Sequence, residues 1–204
     1  MTTEASTSLL EISRSLPLKW RTPPEWAAFV VRNMDMFLVD HASCERKAHA
    51  AAMMLVSKFP EYPELQDKMI GLAREELEHL HQVFHILRTR SLSLSNDAVD
   101  TYVKDLFQHV RHPRQDHILD RLIATALIEA RSCERFCLLA EALPQGELKD
   151  FYTRFAIAES AHFPLFVNLA RDLFGEEHSH GRLEDWLQIE AEIAKNLPIR
   201  ACVH

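Results

Sequence analysis

Glycine is scarce in this sequence, which has only four glycines among 204 residues. So few glycines leave little room for the tight turns that join many short strands, and the scarcity favours long helices. No run of 18 apolar residues occurs, so we expect no membrane-spanning helix. With 204 residues, 47% of them hydrophobic, the chain is long enough to bury a sizeable core as one soluble domain.

Cysteine is also sparse, and the four cysteines form no Cys-x-x-Cys pair and no dense framework. We therefore expect reduced, mostly buried thiols at Cys44, Cys133, Cys137 and Cys202. The first residues, "MTTEASTSLLEISRSL", are polar and lack the apolar stretch of a secretory signal. Both features predict a cytoplasmic protein.

Positive charge is in deficit, since the net charge is -7 at pH 7. Such a chain has no bulk attraction for nucleic acid or for an anionic membrane. Contact with nucleic acid would need a local basic patch, and two short segments offer one: "LRTR" at 87–90 and "HVRHPRQDH" at 109–117. Scattered solubilising charge is the alternative interpretation of both segments.

Helical periodicity runs through almost the whole chain. It predicts a short helix at about 24–31, four long helices at 33–58, 62–90, 116–142 and 146–174, and a last helix at about 182–196. The second and third long helices are joined by a long connection, 91–115, that contains a helical piece. Two short links and one long crossover predict an all-α, ferritin-like four-helix bundle with extra short helices. We expect a single domain over 1–204, with its core bundle at about 33–174.

The two pairs of long helices carry an internal repeat. The first pair is joined by "FPEYPEL" and the second by "LPQGEL", so Pro60 matches Pro144 and Leu65 matches Leu148. A glutamate lies fifteen residues before each proline, and a Glu-x-x-His motif begins eleven residues after each leucine. The repeat therefore selects two equivalent sets of three residues: Glu45, Glu76 and His79, and Glu129, Glu159 and His162.

All six residues fall on the apolar, core-facing stripes of the predicted helices. A further Glu-x-x-His, formed by Glu78 and His81, lies on the polar face of its helix and is predicted to be exposed. The repeated letters "SCER" would pair Glu134 with Glu45 instead. However, Glu134 lies about 140° around the helix from Glu129, off the apolar stripe.

Four ionised carboxylates in a bundle core repel one another, and each loses several kcal/mol of hydration. Two divalent cations would balance them and leave two neutral imidazoles to complete the coordination. Ferritin-like carboxylate proteins use the same types of ligand: one Glu from each of two helices and Glu-x-x-His from each of the others. Carboxylate-rich ligands without thiolate favour iron or manganese, so the residues predict a site of two such ions. The alternative, a metal-free polar network, would strand buried charge.

Other residues near these stripes are predicted to have lesser roles. His41 and His49 are expected to support the site or to hydrogen-bond within the core rather than to bind metal directly. Pro164 lies two residues after His162 inside a predicted helix, which it should bend. Three apolar residues are candidate walls of a substrate pocket, with simple core packing as the alternative: Leu38, Phe136 and Phe166.

Four segments carry a resemblance to a known family: "DHASCERKAHAAAMML", "AREELEHLHQVF", "LIEARSCERF" and "FAIAESAHFPLF", in this order. They resemble the tRNA 2-methylthio-N6-isopentenyladenosine hydroxylases, known as MiaE, and the similarity extends from about residue 15 to 197. The resemblance implies a di-iron monooxygenase that uses O2 to hydroxylate the isopentenyl group of this adenosine beside the tRNA anticodon. It implies that the six repeat residues bind the two iron ions. Because nothing here resembles a flavin, haem or dinucleotide site, an external electron-donor protein is expected.

Related bundles use similar ligand sets for other functions. The alternatives are a di-iron oxidase or oxygenase with a small-molecule substrate, an iron storage or detoxification protein, and a metal-free interaction module. If tRNA is the substrate, neutralising Arg111 and Arg114 should weaken its binding and flatten the salt dependence of that binding.

Overall fold

The computed structural model describes residues 8–95, 99–112 and 114–204. Within these residues the backbone forms nine α-helices and no β-strand. In chain order they are α1 (Leu9–Ser15), α2 (Pro24–Arg32), α3 (Met34–Lys58), α4 (Pro63–Thr89), α5 (Thr101–Phe107), α6 (Arg114–Ala142), α7 (Glu147–Glu159), α8 (His162–Phe174) and α9 (Glu176–Lys195). No helix in the described part of the chain has the length and apolar composition needed to cross a membrane.

Four of the predicted helices are confirmed to within about two residues at each end: α2, α3, α4 and α6. The start of α4 could be predicted because Pro63 lies in its first turn, where the missing amide N–H costs no helical hydrogen bond. The predicted helical piece of the crossover corresponds to α5, which Asp100 caps by accepting a hydrogen bond from the Val103 amide. The beginning of that piece, residues 97–98, lies outside the described residues.

Helices α1 and α9 differ from the prediction. The short helix α1 was not predicted, although Ser8 and Glu11 form a capping box in which each side chain accepts a hydrogen bond from the other's amide. Helix α9 begins at Glu176 rather than at 182. Gly175, at a φ of 85°, turns the chain sharply after α8, and acidic residues in the first turn of α9 suit the positive end of its dipole.

The prediction of one continuous helix over 146–174 was wrong. The structure has two helices, α7 and α8, with Ser160 and Ala161 between them. Pro164 has no amide N–H to donate to the carbonyl of Ser160, and its ring would clash with that carbonyl. The amide of Ala161 instead donates to the carbonyl of Ala158 at 3.2 Å, a tighter turn than an α-helix makes. The proline therefore ends the helix instead of bending it.

The described residues form two compact units. The hairpin unit consists of Arg32–Val99 and Arg200–Val203, and in it α3 packs along α4. The larger unit consists of the described part of Met1–Val31 together with Asp100–Ile199 and His204. Within the larger unit α6 packs against α1, α5, α7, α8 and α9, so that it is buried on almost every side. The single domain over 1–204 stays a prediction.

Candidate metal centre

The hairpin unit brings together three of the six predicted ligands, here called the hairpin triad: Glu45, Glu76 and His79. Glu45 lies on α3, and Glu76 and His79 lie one turn apart on α4. All three are buried, with at most 5% of their surface exposed. The Nδ1 atom of His79 lies 3.8 Å from Oε2 of Glu45 and 3.6 Å from Oε2 of Glu76. One donor atom from each residue therefore converges within 4.8 Å.

The larger unit brings together the other three, here called the second triad: Glu129, Glu159 and His162. Glu129 lies on α6, Glu159 ends α7 and His162 begins α8. The Nδ1 atom of His162 lies 2.9 Å from Oε2 of Glu159 and 3.6 Å from Oε2 of Glu129. These residues are buried too, and their donor atoms also lie within 4.8 Å of one another. Each hairpin of the repeat thus brings together an equivalent set of candidate ligands.

The chemistry of each triad fits one divalent metal ion. Two carboxylates carry a charge of -2, and an imidazole adds a neutral nitrogen donor, so a dication is balanced where burial makes uncompensated charge costly. Oxygen-rich ligands with a single nitrogen suit iron or manganese, whereas the usual thiolates of structural zinc sites are absent from both triads. The donor set in each half of the repeat therefore fits the predicted metal.

The rejected Glu-x-x-His motif lies in solvent, as predicted. Its side chains, Glu78 and His81, are 62% and 61% exposed, and Nδ1 of His81 lies 3.9 Å from Oε2 of Glu78. Spacing alone therefore cannot separate this motif from Glu76 and His79, whereas burial does. The periodicity of the apolar residues was the signal that distinguished them in the sequence.

Glu134, the other rejected residue, is buried but serves a different purpose. Its carboxylate forms an ion pair with the fully buried Arg131 and accepts a hydrogen bond of 2.8 Å from the Thr22 hydroxyl. Arg131 also donates to Glu190 of α9 at 2.7 Å, and Tyr102 of α5 donates to the same carboxylate at 3.0 Å. Burial and the charge of Glu190 raise the pKa of Tyr102, which therefore stays protonated.

This buried ion network was missed from the sequence. It joins α5, α6 and α9 with the segment before α2, and its members are far apart along the chain. No periodic pattern predicts such contacts, because Arg131 and Glu134 look like an ordinary exposed i, i+3 pair. In this network the charge of Glu134 is balanced by Arg131.

A Ser-His-Asp chain in the larger unit was likewise not predicted. Nε2 of His204 lies 2.8 Å from Oγ of Ser132, and its Nδ1 lies 3.0 Å from the Asp100 carboxylate. The arrangement resembles a hydrolase triad, but Ser132 donates its hydroxyl hydrogen to the carbonyl of Ile128 in the same helix. The three groups connect α6 to the segment before α5.

The two histidines near the hairpin triad are placed differently. Nδ1 of His49 lies 2.7 Å from the carbonyl oxygen of Ala73, so His49 joins α3 to α4, as expected of a histidine that hydrogen-bonds within the core. His41 is completely buried, and its Nε2 lies 3.0 Å from Oε1 of Glu45. His41 therefore contacts a predicted ligand directly.

The cysteines are free thiols, as predicted. Cys133 and Cys137 are buried, whereas Cys44 and Cys202 are partly exposed. The pKa of Cys133 is raised by its contact with the Cys137 side chain and by burial, so this thiol stays protonated. Its Sγ atom lies 3.6 Å from the carbonyl oxygen of Ala156, which is consistent with a packed, unreactive residue.

The predicted basic patch contains arginines that acidic side chains already hold. Arg111 donates two hydrogen bonds of 2.9 Å to the two oxygens of the buried Asp120, and Arg90 donates to Asp35 at 2.8 Å. Hydrogen bonding to Asp120 raises the pKa of Arg111. Arg88 and Arg114 lie on the exposed surface. The patch stays a prediction, and Arg111 has a structural role in it.

Comparison with known proteins identifies the family whose sequences this chain matches. Residues 9–204 match the family model described as tRNA-(MS[2]IO[6]A)-hydroxylase (MiaE). A tRNA 2-(methylsulfanyl)-N(6)-isopentenyladenosine(37) hydroxylase from Pseudomonas putida is 35% identical over 156 residues, which cover 76% of this chain and 75% of that protein. A hydroxylase with the same description from Salmonella typhimurium is 27% identical, with 84% of this chain and 81% of that protein covered.

A solved structure is similar over almost the whole chain. It is described as protein 43 with aldehyde deformylating oxygenase activity from Synechococcus, and it matches with a TM-score of 0.85 at 33% identity. The match covers 90% of this chain and 92% of that chain. The predicted fold class, all-α and ferritin-like, is thereby confirmed.

Proposed function

The chain belongs to the MiaE family of tRNA hydroxylases, and from this premise we propose that it hydroxylates the isopentenyl group of 2-methylthio-N6-isopentenyladenosine in tRNA, next to the anticodon. The observation that carries the proposal is the pair of buried, equivalent triads within a chain that matches the family over residues 9–204. The co-substrate in this proposal is O2. The reaction belongs in the cytoplasm, where tRNA is available.

The proposed cofactor is a pair of iron ions, for which the two triads provide the ligands. Each triad supplies two carboxylates and one imidazole, so the six residues provide four negative charges for two divalent ions: Glu45, Glu76, His79, Glu129, Glu159 and His162. Iron bound there would supply the activation of O2 that insertion of oxygen into a C–H bond of the isopentenyl group requires. The duplicated sequence supports a pair of metal ions, because each half of the repeat contributes the same ligands at matching positions.

The predicted pocket residues are buried apolar side chains. Leu38 in the hairpin unit and Phe136 and Phe166 in the larger unit are almost completely buried. We assign Phe136 and Phe166 to the wall of the pocket that receives the isopentenyl group, and Leu38 stays a predicted wall residue of the hairpin unit. Phe136 also packs against Tyr152 and Phe155, with ring centroids 6.0 and 5.0 Å away, so its position is fixed by an aromatic cluster. Rigid apolar walls favour an apolar substituent over water.

Two partners complete the proposal. One is the anticodon region of tRNA, whose unpaired bases can be splayed into a protein pocket. Its phosphates would be met by exposed arginines of the basic segments, Arg88 and Arg114. The other is an external electron-donor protein, because hydroxylation by O2 consumes two electrons that the substrate does not supply.

Mass spectrometry of tRNA nucleosides tests this function. Cells that make the isopentenyl precursor are compared with and without this protein, and a third strain carries the Glu76→Gln variant. The hydroxylated nucleoside should appear only with the wild-type chain, and the precursor should accumulate in the other two strains. Hydroxylated nucleoside in the strain that lacks the protein would refute the proposed substrate.

One alternative to tRNA hydroxylation is an oxygenase reaction on a small-molecule substrate. The structural neighbour favours it, because that protein is described as having aldehyde deformylating oxygenase activity. The two functions differ in their dependence on tRNA. A chain that binds two iron ions and consumes O2 with an aldehyde, but leaves tRNA nucleosides unchanged, would support the alternative.

A further inference from the structure

The two halves of the repeat differ at one position next to the metal ligands. Four residues before Glu45 stands His41, and four residues before Glu129, its match in the repeat, stands Thr125. Positions four residues apart in a helix lie on the same face, so each side chain can reach the glutamate one turn later. The hairpin triad therefore has an imidazole where the second triad has a hydroxyl.

The imidazole of His41 is placed against one particular oxygen of Glu45. Its Nε2 lies 3.0 Å from Oε1, whereas the other oxygen, Oε2, is the one that lies 3.8 Å from Nδ1 of His79 within the triad. The ring has no exposed surface and packs beside Phe37, with ring centroids 5.9 Å apart. A buried imidazole held in this way has little freedom to turn away from the carboxylate.

Thr125 does not offer the same support. Its hydroxyl donates a hydrogen bond of 2.8 Å to the carbonyl oxygen of Arg121, one turn earlier in α6. This is the usual bond of a threonine within a helix. At this pair of matching positions, a donor of imidazole length is therefore present beside Glu45 and not beside Glu129.

We propose that His41 is a positioning residue whose Nε2, which lies 3.0 Å from Oε1 of Glu45, donates a hydrogen bond to that oxygen once metal binds and so leaves Oε2 as the oxygen that binds metal. The inference rests on the proposed pair of metal ions. Hydrogen bonds to ligating carboxylates fix their orientation, and their loss typically lowers metal affinity about 10- to 100-fold. The duplicated ligands consequently give two inequivalent metal sites, with the site of the hairpin triad dependent on His41.

Metal titration of the apoprotein tests the inference without relying on activity. Co²⁺ serves as the probe, and the variants are His41→Leu, His41→Gln and, in the other half of the repeat, Thr125→Val. Leu removes the donor, whereas the amide nitrogen of Gln can take the place of Nε2. We expect His41→Leu to weaken one of the two binding steps by about 10- to 100-fold, and His41→Gln and Thr125→Val to bind both ions like wild type.

Mössbauer spectra of the ⁵⁷Fe-loaded proteins provide a second readout. Wild type should show two distinct doublets, and His41→Gln should keep them, whereas His41→Leu should change only one. If His41→Leu does not fold, His41→Asn replaces it. The side-chain amide nitrogen of Asn lies near the position of Nδ1 of His41 and is too far from Oε1 of Glu45 to donate a hydrogen bond to it. Asn should then behave as predicted for Leu.

Several outcomes would overturn the inference. Unchanged binding of both ions by His41→Leu would remove any role for the contact, and an equal loss in Thr125→Val would remove the asymmetry. If His41→Gln binds metal as weakly as His41→Leu, and X-ray absorption shows one nitrogen ligand fewer than in wild type, then His41 is a direct metal ligand. Failure of the wild-type chain to bind two ions would instead refute the proposed centre itself.

Discussion

The imidazole of His162 lies 2.9 Å from the carboxylate of Glu159, although one helix ends at Glu159 and the next begins at His162. In the other half of the repeat, Glu76 and His79 lie 3.6 Å apart within the unbroken helix α4. The same four-residue motif is therefore carried by two different backbones. The difference follows from Pro164, which has no counterpart in α4.

Replacing Pro164 by alanine should therefore disturb the second triad. The substitution restores an amide that can donate to the carbonyl of Ser160, so a continuous helix becomes favourable and His162 moves relative to Glu159. We expect higher helix content by circular dichroism and weaker binding of one metal ion. Pro63→Ala is the control, because Pro63 stands in the first turn of α4 and should leave metal binding unchanged. Unaltered metal titrations of Pro164→Ala would contradict this role of the break.

Glutamates of the triads should be required for metal, whereas the exposed motif should not. Glu76→Gln and Glu159→Gln each remove a negative charge that balances a dication, and we expect more than about 100-fold weaker binding at one site, since supporting residues alone account for 10- to 100-fold. Metal analysis after dialysis measures the effect. Glu78→Gln has the same spacing to a histidine but is 62% exposed, and it should retain the full metal content. Loss of metal in Glu78→Gln would place the site elsewhere.

Asp120 should stabilise the larger unit in a pH-dependent way. Burial favours its neutral form, but hydrogen bonds from Arg182, Arg111 and Trp186 outweigh burial and lower its pKa. We expect Asp120→Asn to reduce the free energy of unfolding by about 3 kcal/mol at pH 7, because two arginines lose their buried partner. Urea denaturation monitored by circular dichroism gives this difference.

The sign of the pH dependence follows from the lowered pKa of Asp120. The advantage of wild type over Asp120→Asn is complete above the pKa of unfolded aspartate, about 3.9, and is lost as the pH falls towards the folded value. Asp185→Asn is the matched control, because Asp185 is 66% exposed and pairs with Arg182 at 3.3 Å. It should change the unfolding free energy by less than about 0.5 kcal/mol. An advantage that persists undiminished at pH 3 would contradict the assignment.

The four thiols should fall into two reactivity classes. Cys133 and Cys137 are buried, and the raised pKa of Cys133 keeps its thiol protonated even in mildly alkaline buffer. Iodoacetamide should therefore label Cys44 and Cys202 in the native protein, and all four cysteines only after unfolding. Mass spectrometry of the labelled peptides distinguishes the sites. Rapid native labelling of Cys133 would show that the core near Glu129 opens readily.

Binding of tRNA should depend on exposed arginines more than on Arg111. Arg88→Gln and Arg114→Gln should each weaken the binding of tRNA whatever its sequence. Each should also reduce the slope of log affinity against log salt concentration by about 1, provided that each side chain contacts one phosphate. Arg111→Gln should mainly lower stability, since Arg111 is bound to Asp120. Filter binding at several salt concentrations separates the two effects. Equal salt slopes in wild type and both exposed variants would exclude these segments from the tRNA surface.

Some features of this protein were determined by local sequence. The apolar stripes, the i, i+3 spacing of Glu76 and His79, and the matching links of the repeat identified both triads, because ligands on one helix face obey the helical period whatever surrounds them. The same period placed Glu78 in solvent. Ordinary helix signals also located most helix boundaries, since caps and prolines act within one turn.

Other features were decided only by tertiary structure. Arg131 and Glu190 meet across 59 residues of sequence, and Arg182 reaches Asp120 across 62. The periodicity of the sequence does not predict such pairs. Glu134 and Arg111 were therefore expected at the surface, whereas in the structure each forms an ion pair with a buried residue. A helical period specifies which face a side chain occupies, whereas the partner that neutralises a buried charge depends on which other segment the fold brings against that face.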